Sequence, residues 1–349
     1  MTILVDRGER GFSLVELMVG MLLGILLIGG AATIYLTSKR SYVEVEQVAA
    51  LSENARFAEL LMSDTLRHVG HFGEVTVNRV ELDPDLSGVA NDCSGAAQAY
   101  DISSFIFAAT APADPDVTAP VSVLNCIDDA VPDTDVLVIK HVIPRPYSDG
   151  PRDSADPNNP THRNGTIDFP EPLSPQKTYV MTNNVRGIVF DGADAAPSIL
   201  VGGEVPGGVA WEYQFEAFYV RQGDTPTLSR KVLRWDGSAM AMVTENLVEG
   251  VENLRLQFGY DSDGNGDVDT YGDVAALTAA GNWDRVESVE VFMLIRNPER
   301  DLQYTDIKSY HMGGGVTVEP DERVKNFRRM ATHASISLRN MKLMIRGEA

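Results

Sequence analysis

The feature that most constrains this chain is an apolar segment near its N-terminus. From Leu17 to Leu36 the sequence has twenty consecutive residues without a charged side chain. At about 1.5 Å rise per residue, a helix of this length spans about 30 Å, the thickness of the hydrocarbon core of a bilayer. Because lipid offers no partner to backbone N–H and C=O groups, the segment is predicted to be a membrane-spanning helix.

A short polar segment precedes the apolar one and ends in a small residue, Gly11. In an ordinary secretory signal, the small residue of the cleavage site follows the apolar core. Here the order is reversed, so cleavage after Gly11 would leave the anchor in the mature chain, with Phe12 as its first residue. The alternative is an ordinary, uncleaved membrane anchor.

Glu16 is the only charged residue between Phe12 and Leu36. A carboxylate in an apolar helix is costly unless it is paired or reaches the headgroup region. One interpretation is a side chain that snorkels to the headgroups. The other is a charge that pairs with the new amine of Phe12, on the same subunit or on a neighbouring one. The N-terminal end of the helix dipole also favours a negative charge at this position.

Gly11, Phe12 and Glu16, in the run Phe-Ser-Leu-Val-Glu-Leu, resemble the class III signal of type IV prepilins and pseudopilins. The resemblance implies that a prepilin peptidase cleaves after Gly11 and methylates Phe12. It also implies a filament whose core consists of these helices. Gly20 and Gly24 form a G-x-x-x-G motif, which can allow helices to approach closely.

The helix is expected to continue past the membrane, to about residue 70. Apolar side chains recur there at alternating spacings of three and four, which places them on one face of a helix. These residues are Val48, Leu51, Ala55, Ala58, Met62, Thr65 and Val69. The face is predicted to pack on the chain's own globular domain, and contact with neighbouring subunits is the alternative. Gly70 and Gly73 are candidate stop signals.

Beyond residue 70 the sequence changes to short alternating apolar runs separated by Gly, Pro, Asn and Asp, which is typical of strands and turns. The predicted strands are Ile102–Ala108, Asp135–Val142, Thr178–Met181, Gly187–Phe190, Trp211–Arg221, Leu228–Trp235, Val251–Tyr260, Arg285–Arg296 and Arg329–Arg339. No repeating helix separates them, so a mostly antiparallel sheet is expected. The fold class is therefore α+β and pilin-like, with a long N-terminal helix packed on a β-rich domain.

The predicted organisation has four parts. They are a leader at 1–11, a transmembrane or filament-core helix at 12–36, its amphipathic continuation at 37–70, and a β-rich domain at 71–349. A loop at 144–175 holds eight of the chain's eighteen prolines. It is either a recognition surface or a solvated loop.

Three strand-like stretches in the domain resemble minor pilins of the PilW type. They are Thr134–Lys140, Leu247–Leu254 and Arg328–Asn340. This resemblance implies a non-enzymatic protein that helps initiate type IV pilus assembly, in a priming complex at the tip with other minor pilins, the major pilin and a tip adhesin. It implies an inner-membrane location with a periplasmic C-terminal domain before assembly. The alternatives are a J-type pseudopilin of type II secretion and a membrane-anchored, calcium-dependent binding module.

Two cysteines, Cys93 and Cys126, are the only ones in the chain. An even number in an exported chain predicts one disulfide, and two free buried thiols are the alternative. The net charge of −21 excludes nucleic acid as a partner, because nucleic-acid binding needs basic patches. No nucleophile elbow, zinc-protease motif or phosphate-binding loop supports an enzyme.

One segment carries a candidate metal site. Oxygen-bearing side chains recur at alternate positions after a predicted strand, with a glycine at the sixth place, as in the first nine positions of a calcium loop. They are Asp261, Asp263, Asn265, Asp267 and Asp269. The twelfth position is Gly272 where a calcium loop has glutamate, and Asp273 follows it. Calcium binding and a plain polar turn between two strands are both compatible with this pattern.

Overall fold

The computed structural model describes residues 12–116, 119–148 and 173–341. The chain divides into two compact units, Met1–Ala50 and Leu51–Ala349. The predicted leader at 1–11 and most of the Pro-rich loop lie outside the described residues.

Helix α1 runs from Leu14 to Leu66 and is long and apolar enough to cross a membrane. In its first part nearly every side chain is exposed, including Ile25, Leu27 and Ile34. Two hydroxyls in this part donate to carbonyls of the helix itself, from Thr33 to Gly30 and from Thr37 to Thr33. These two hydroxyls are therefore satisfied within the helix, as a lipid environment requires.

The C-terminal part of α1 belongs to the second unit and has a buried face. Leu51, Ala55, Ala58 and Met62 are buried, which confirms the spacing of three and four. The prediction is wrong for Val48, which is 43% exposed. Val48 lies one turn before the first residue of the second unit, so the core of that unit begins at Leu51.

The helix ends at Leu66, four residues before the predicted end. The backbone then tightens, because the N–H of His68 bonds to the carbonyl of Thr65 at 3.0 Å, three residues back. Gly70 and Gly73 follow with φ of +74° and +82°. A side chain at Gly73 would collide with the indole of Trp211, so glycine is required there for space as well as for conformation.

Ten strands form the larger sheet. They are β1 (Val80–Leu82), β2 (Ile106–Thr110), β3 (Val121–Val123), β4 (Ile127–Ala130), β5 (Asp135–Ser148), β6 (Thr178–Thr182), β7 (Gly187–Asp191), β8 (Val209–Arg221), β9 (Thr227–Trp235) and β10 (Met240–Glu249). The order of hydrogen-bonded strands is β1-β7-β6-β8-β4-β3. In addition, β5 pairs with both β8 and β2, and β9 pairs with both β8 and β10. All pairings are antiparallel except β1 with β7.

The second sheet has the order β12-β11-β13-β16 and is antiparallel throughout. Its strands are β11 (Val251–Tyr260), β12 (Thr270–Gly272), β13 (Val286–Arg296) and β16 (Arg329–Ser337). A short helix α2 (Val274–Ala280) and a small hairpin of β14 (Tyr310–His311) and β15 (Thr317–Val318) complete the fold.

One core joins the two sheets and the end of α1. Gly250 connects β10 of the first sheet to β11 of the second with φ of +87°, and its carbonyl accepts from the N–H of Arg296 at 2.7 Å. A side chain at this position would collide with the carbonyl of Arg296. The close approach of two backbones therefore requires glycine where the chain passes between sheets.

The predicted fold class and antiparallel sheet are confirmed. Several strand predictions differ from the structure at their ends, and some strands were not predicted. Ile102–Ser104 is a short 3-10 helix rather than the start of β2, the last strand ends at Ser337, and β10 was not predicted. In β10 the apolar run Met240–Val243 is followed by the polar, partly exposed run Thr244–Asn246, so the strand lacks the alternation on which the prediction depends.

The Pro-rich segment was predicted to be a loop from Pro144, which is wrong for its first residues. Strand β5 continues through Pro144 and Pro146 to Ser148. This end of β5 pairs with β8 through irregular register and has no second neighbouring strand among the described residues, since β2 pairs only with the first residues of β5. Proline lacks an N–H donor, and such an edge position tolerates it.

Candidate functional site

The residues predicted to serve processing and assembly lie at the N-terminal end of α1. Phe12 is 81% exposed just before the helix, and Glu16 lies in its first turn with an exposed side chain. They are four positions apart in the sequence, which is about one turn of helix. A positive charge on the Phe12 amine would therefore be within one turn of the Glu16 carboxylate. Gly11 lies outside the described residues.

The glycines of the apolar segment face open space. A side chain added at Gly20 or Gly24 would meet no other part of the chain within 4 Å. The groove that these glycines make on α1 is thus free for a neighbouring helix.

The Asp-rich loop follows β11 and curls around Asp261. Side chains of Asp261, Asp263 and Asp269 converge, with one oxygen of each within 4.8 Å of the others. Asn265 and Asp267 lie on the same loop, and the amide of Asn265 donates to Asp263 at 3.2 Å. The loop therefore brings three of the five predicted ligands into one cluster of carboxylates.

Asp261 organises the loop through its backbone hydrogen bonds. One carboxylate oxygen accepts from the N–H groups of Asp263, Gly264 and Asn265, and the other accepts from Gly266 at 2.7 Å. The bond from Gly266 is the main reason that the pKa of Asp261 lies below its usual value. The loop holds this side chain as a carboxylate, which is the form that a hard cation binds.

Asp273, considered as an additional ligand, has a different role. It is the N-cap of α2, and its carboxylate accepts from the N–H of Ala276 at 2.8 Å. The capping pattern predicts such a helix start, but α2 is too short to give a periodic signal in the sequence. Calcium binding by the loop remains a prediction.

The two cysteines form a disulfide between Cys93 and Cys126, which confirms the predicted bond. Close to it, the buried ammonium of Lys140 donates to the carbonyls of Ala96 and Asp101 at 2.9 and 2.6 Å. Burial lowers the pKa of Lys140 to about 8. The disulfide and the two hydrogen bonds of Lys140 together hold the segment between β1 and β2 against the sheet. The sequence around Lys140 gives no signal of its burial, because the alternation of β5 does not distinguish a buried lysine from an exposed one.

Comparison with known proteins gives two family matches. The model for Type IV Pilus-assembly protein W matches residues 217–340, and the model for the Prokaryotic N-terminal methylation motif matches residues 6–32. No curated protein matches the chain. Among solved structures, the type IV-like pilin TTHA1219 from Thermus thermophilus is similar over 48% of this chain and 85% of its own, with 14% sequence identity and a TM-score of 0.22.

The two family matches include the N-terminal signal and two of the three PilW-like stretches, Leu247–Leu254 and Arg328–Asn340, whereas Thr134–Lys140 lies outside them. The methylation motif contains Gly11, Phe12 and Glu16, and the other match extends from β8 through β16. These two matches make the chain similar to the type IV pilus-assembly protein W family over residues 217–340 and to prepilins with an N-terminal methylation motif over residues 6–32.

Proposed function

We propose that this chain is a minor pilin of the PilW family and that it helps to initiate assembly of a type IV pilus, as part of a priming complex at the pilus tip. The observation that carries the proposal is the exposed apolar part of α1 with its single carboxylate, Glu16, inside a matched methylation motif. Such a helix needs either lipid or other apolar helices around it. During assembly, the helices of other subunits replace the lipid.

Glu16 supplies the electrostatic part of this exchange. After cleavage, the amine of Phe12 and the carboxylate of Glu16 are opposite charges in a medium of low dielectric constant, where an unpaired charge is costly. Pairing within one subunit or between neighbours removes that cost as the helix leaves the bilayer. The open surface at Gly20 and Gly24 allows a second helix to pack closely.

The proposed location of the protein changes from the inner membrane before assembly to the pilus after it. The chain is a substrate of the prepilin peptidase at the inner membrane, with its β-rich domain in the periplasm, and then joins other minor pilins and the major pilin below a tip adhesin. The disulfide between Cys93 and Cys126 supports the periplasmic placement, because such bonds persist in oxidising compartments.

The experiment replaces Glu16 in the native host. Glu16→Ala is expected to be cleaved normally but to enter sheared pilus fractions poorly, because the amine of Phe12 loses its partner. Glu46→Ala is the matched control, since Glu46 is an exposed acid farther along the same helix. Mass spectrometry of the mature N-terminus measures cleavage, and immunoblots of sheared pili measure incorporation into the pilus. Normal piliation with Glu16→Ala would contradict the proposal.

A J-type pseudopilin of type II secretion is the second candidate, because the methylation motif serves both filament systems equally well. Deletion of the chain distinguishes them. Loss of surface motility with normal enzyme export supports the pilus, whereas loss of enzyme export with normal motility supports secretion.

A further inference from the structure

A pocket of about 310 Å³ lies beside the end of α1, where β5 and β8 run next to each other. Asp64 belongs to the last turn of α1 and His68 to the turn that follows, whereas His141 is on β5 and Glu216 is on β8. We call these four residues the histidine cluster. The fold thus brings two imidazoles and two carboxylates, which are ligand types of divalent metal ions, from separate segments to one pocket.

The ring of His141 carries an unpartnered nitrogen. Its side chain is 6% exposed, and Nδ1 donates to the carbonyl of Val142 at 3.1 Å. Because a carbonyl only accepts, Nδ1 holds the hydrogen of the neutral ring and Nε2 is left with a lone pair. Nε2 is buried without a hydrogen-bond partner in the described part of the chain, and it faces Oε2 of Glu216 at 3.5 Å. Two buried acceptors that face each other need a proton or a metal ion between them.

The second imidazole, that of His68, is placed to share such an ion. Its ring centre lies 5.7 Å from that of His141, with 30° between the ring planes. Two imidazoles on one tetrahedral zinc ion, with Zn–N bonds of about 2.1 Å, have ring centres roughly 5 Å apart. Burial, together with the neighbouring His141, lowers the pKa of His68, so the ring is mostly in its neutral, metal-binding form at pH 7.

Binding requires one small rearrangement. Among the described residues, only Asp261, Asp263 and Asp269 bring three donor atoms within 4.8 Å of one another. The donor atoms of the histidine cluster therefore have to move closer together. His68 is only partly buried and borders the open space of the pocket, so its ring can rotate towards His141 and Glu216.

The charges that line the pocket favour a cation. Three carboxylates line it against one guanidinium; they are Asp64, Glu212 and Glu216 against Arg234. The guanidinium is already paired with Glu245 at 2.7 Å, and Glu212 is paired with Lys177 at 2.7 Å. Oε1 of Glu216 accepts from Arg230, which leaves Oε2 for an ion at His141. Asp64 has no ion-pair partner in the part of the chain that the structure describes, and it lies one helical turn before His68.

We propose that the histidine cluster binds a zinc ion, with His68, His141 and Glu216 as ligands and Asp64 as the fourth. Imidazole nitrogens suit zinc, whereas calcium and magnesium prefer sites made of oxygen alone. The ion would join the end of α1 to β5 and β8. A proton on Nε2 of His141 is the competing occupant, and the test separates the two. The proposal rests on the pocket alone and does not depend on a role in a filament.

The test uses the untagged full chain in detergent micelles, after removal of metals with a chelator, because a histidine tag would itself bind zinc. Calorimetric titration with zinc chloride is expected to show a site that a hundredfold excess of calcium does not displace. Cobalt in place of zinc is expected to give the visible absorption of a tetrahedral site with nitrogen ligands. The double variant Asp261→Ala, Asp263→Ala is expected to keep this site, which excludes the Asp-rich loop as its location.

Single variants locate the ion. His68→Gln is expected to weaken zinc binding at least about tenfold and to abolish the cobalt absorption, since even loss of a group that supports a metal ligand costs about 10- to 100-fold. Asp64→Asn is expected to weaken zinc binding as well. His311→Gln removes an exposed histidine far along the chain and is the matched control, which should bind zinc as the unaltered chain does.

Heat denaturation without metal checks that each variant is folded, and the titration of the unaltered chain is informative whatever the variants do. Absence of zinc binding by the unaltered chain would overturn the proposal and leave a proton on Nε2. Equal zinc affinity of His68→Gln and the unaltered chain, loss of the site in the Asp261→Ala, Asp263→Ala variant, or displacement of zinc by calcium would each overturn it too.

Discussion

Arg329 and Asp306 form an ion pair at 3.2 Å in which neither side chain is exposed. Arg329 also bonds to both carboxylate oxygens of Glu252, at 2.7 and 3.1 Å, and Asp306 accepts from the hydroxyl of Tyr310 at 2.8 Å. One arginine at the start of β16 therefore holds β11 and the segment before β14 together. A buried pair of this kind is sensitive to the loss of either partner, because the other charge then lies buried and unbalanced.

Asp306→Ala is expected to lower the free energy of unfolding by about 3 kcal/mol, since it leaves part of the Arg329 charge without a counter-charge. Glu81→Ala removes an exposed pair with Arg186 and is expected to cost less than about 1 kcal/mol. Urea denaturation of the full chain in detergent, followed by tryptophan fluorescence, measures both. Equal decreases in the free energy of unfolding for the two variants would contradict a larger contribution from the buried pair than from the exposed one.

Lys140 gives the protein a pH dependence with a defined sign. Its pKa is 10.5 in an unfolded chain and about 8 in the fold, where burial disfavours the charged ammonium. Between these pH values the unfolded state binds more protons, so stability rises with pH across that window. The cost of burying the charge is fully present below pH 8 and disappears towards pH 10.5.

Lys140→Met is therefore expected to remove most of this dependence. The free energy of unfolding of the unaltered chain should increase by up to about 3 kcal/mol as the pH rises through the window, and that of the variant should increase much less. Urea denaturation at several pH values gives both curves. The exposed Lys308 supplies a control, Lys308→Met, whose curve should parallel that of the unaltered chain. A parallel curve for Lys140→Met would show that the pKa of Lys140 is not lowered.

The Asp-rich loop is expected to bind calcium. Calcium should raise the heat-denaturation midpoint of the full chain, because binding to the folded state alone stabilises it. The double variant Asp261→Ala, Asp263→Ala should show no such shift. Its midpoint without calcium will be lower too, since Asp261 also accepts backbone hydrogen bonds, so only the shift with calcium is informative.

Asp128→Ala is the control for loss of an exposed acid elsewhere, and it should keep the full calcium shift. Magnesium should give a smaller shift than calcium, because it demands a stricter geometry and keeps its water. An unchanged midpoint with calcium in both the unaltered chain and the double variant would contradict calcium binding, and the loop would then be a polar turn only.

Local patterns in the sequence predicted the parts of the fold that they directly encode. The spacing from Leu51 to Met62 predicted the buried face of α1, and the alternation from Leu254 to Tyr260 predicted β11. The long apolar segment predicted a helix because no other structure satisfies its backbone in lipid.

What local patterns could not predict depends on contacts between distant segments. His68 lies far in sequence from His141 and Glu216, and only the packing of the end of α1 on the larger sheet places them around one pocket. The same is true of Lys140, whose partners are carbonyls of a segment about forty residues earlier. Charge and hydropathy along the chain give no signal for such pairs, so the histidine cluster and the buried lysine became visible only in the fold.

In the proposed function, cleavage just before Phe12 releases an anchor whose Glu16 then serves assembly. Mass spectrometry of the mature protein, purified from pili and membranes of the native host, tests this cleavage. We expect an N-terminal Phe12 that carries a methyl group on its amine. A mature chain that keeps Met1, or that is cut at any other position, would contradict it.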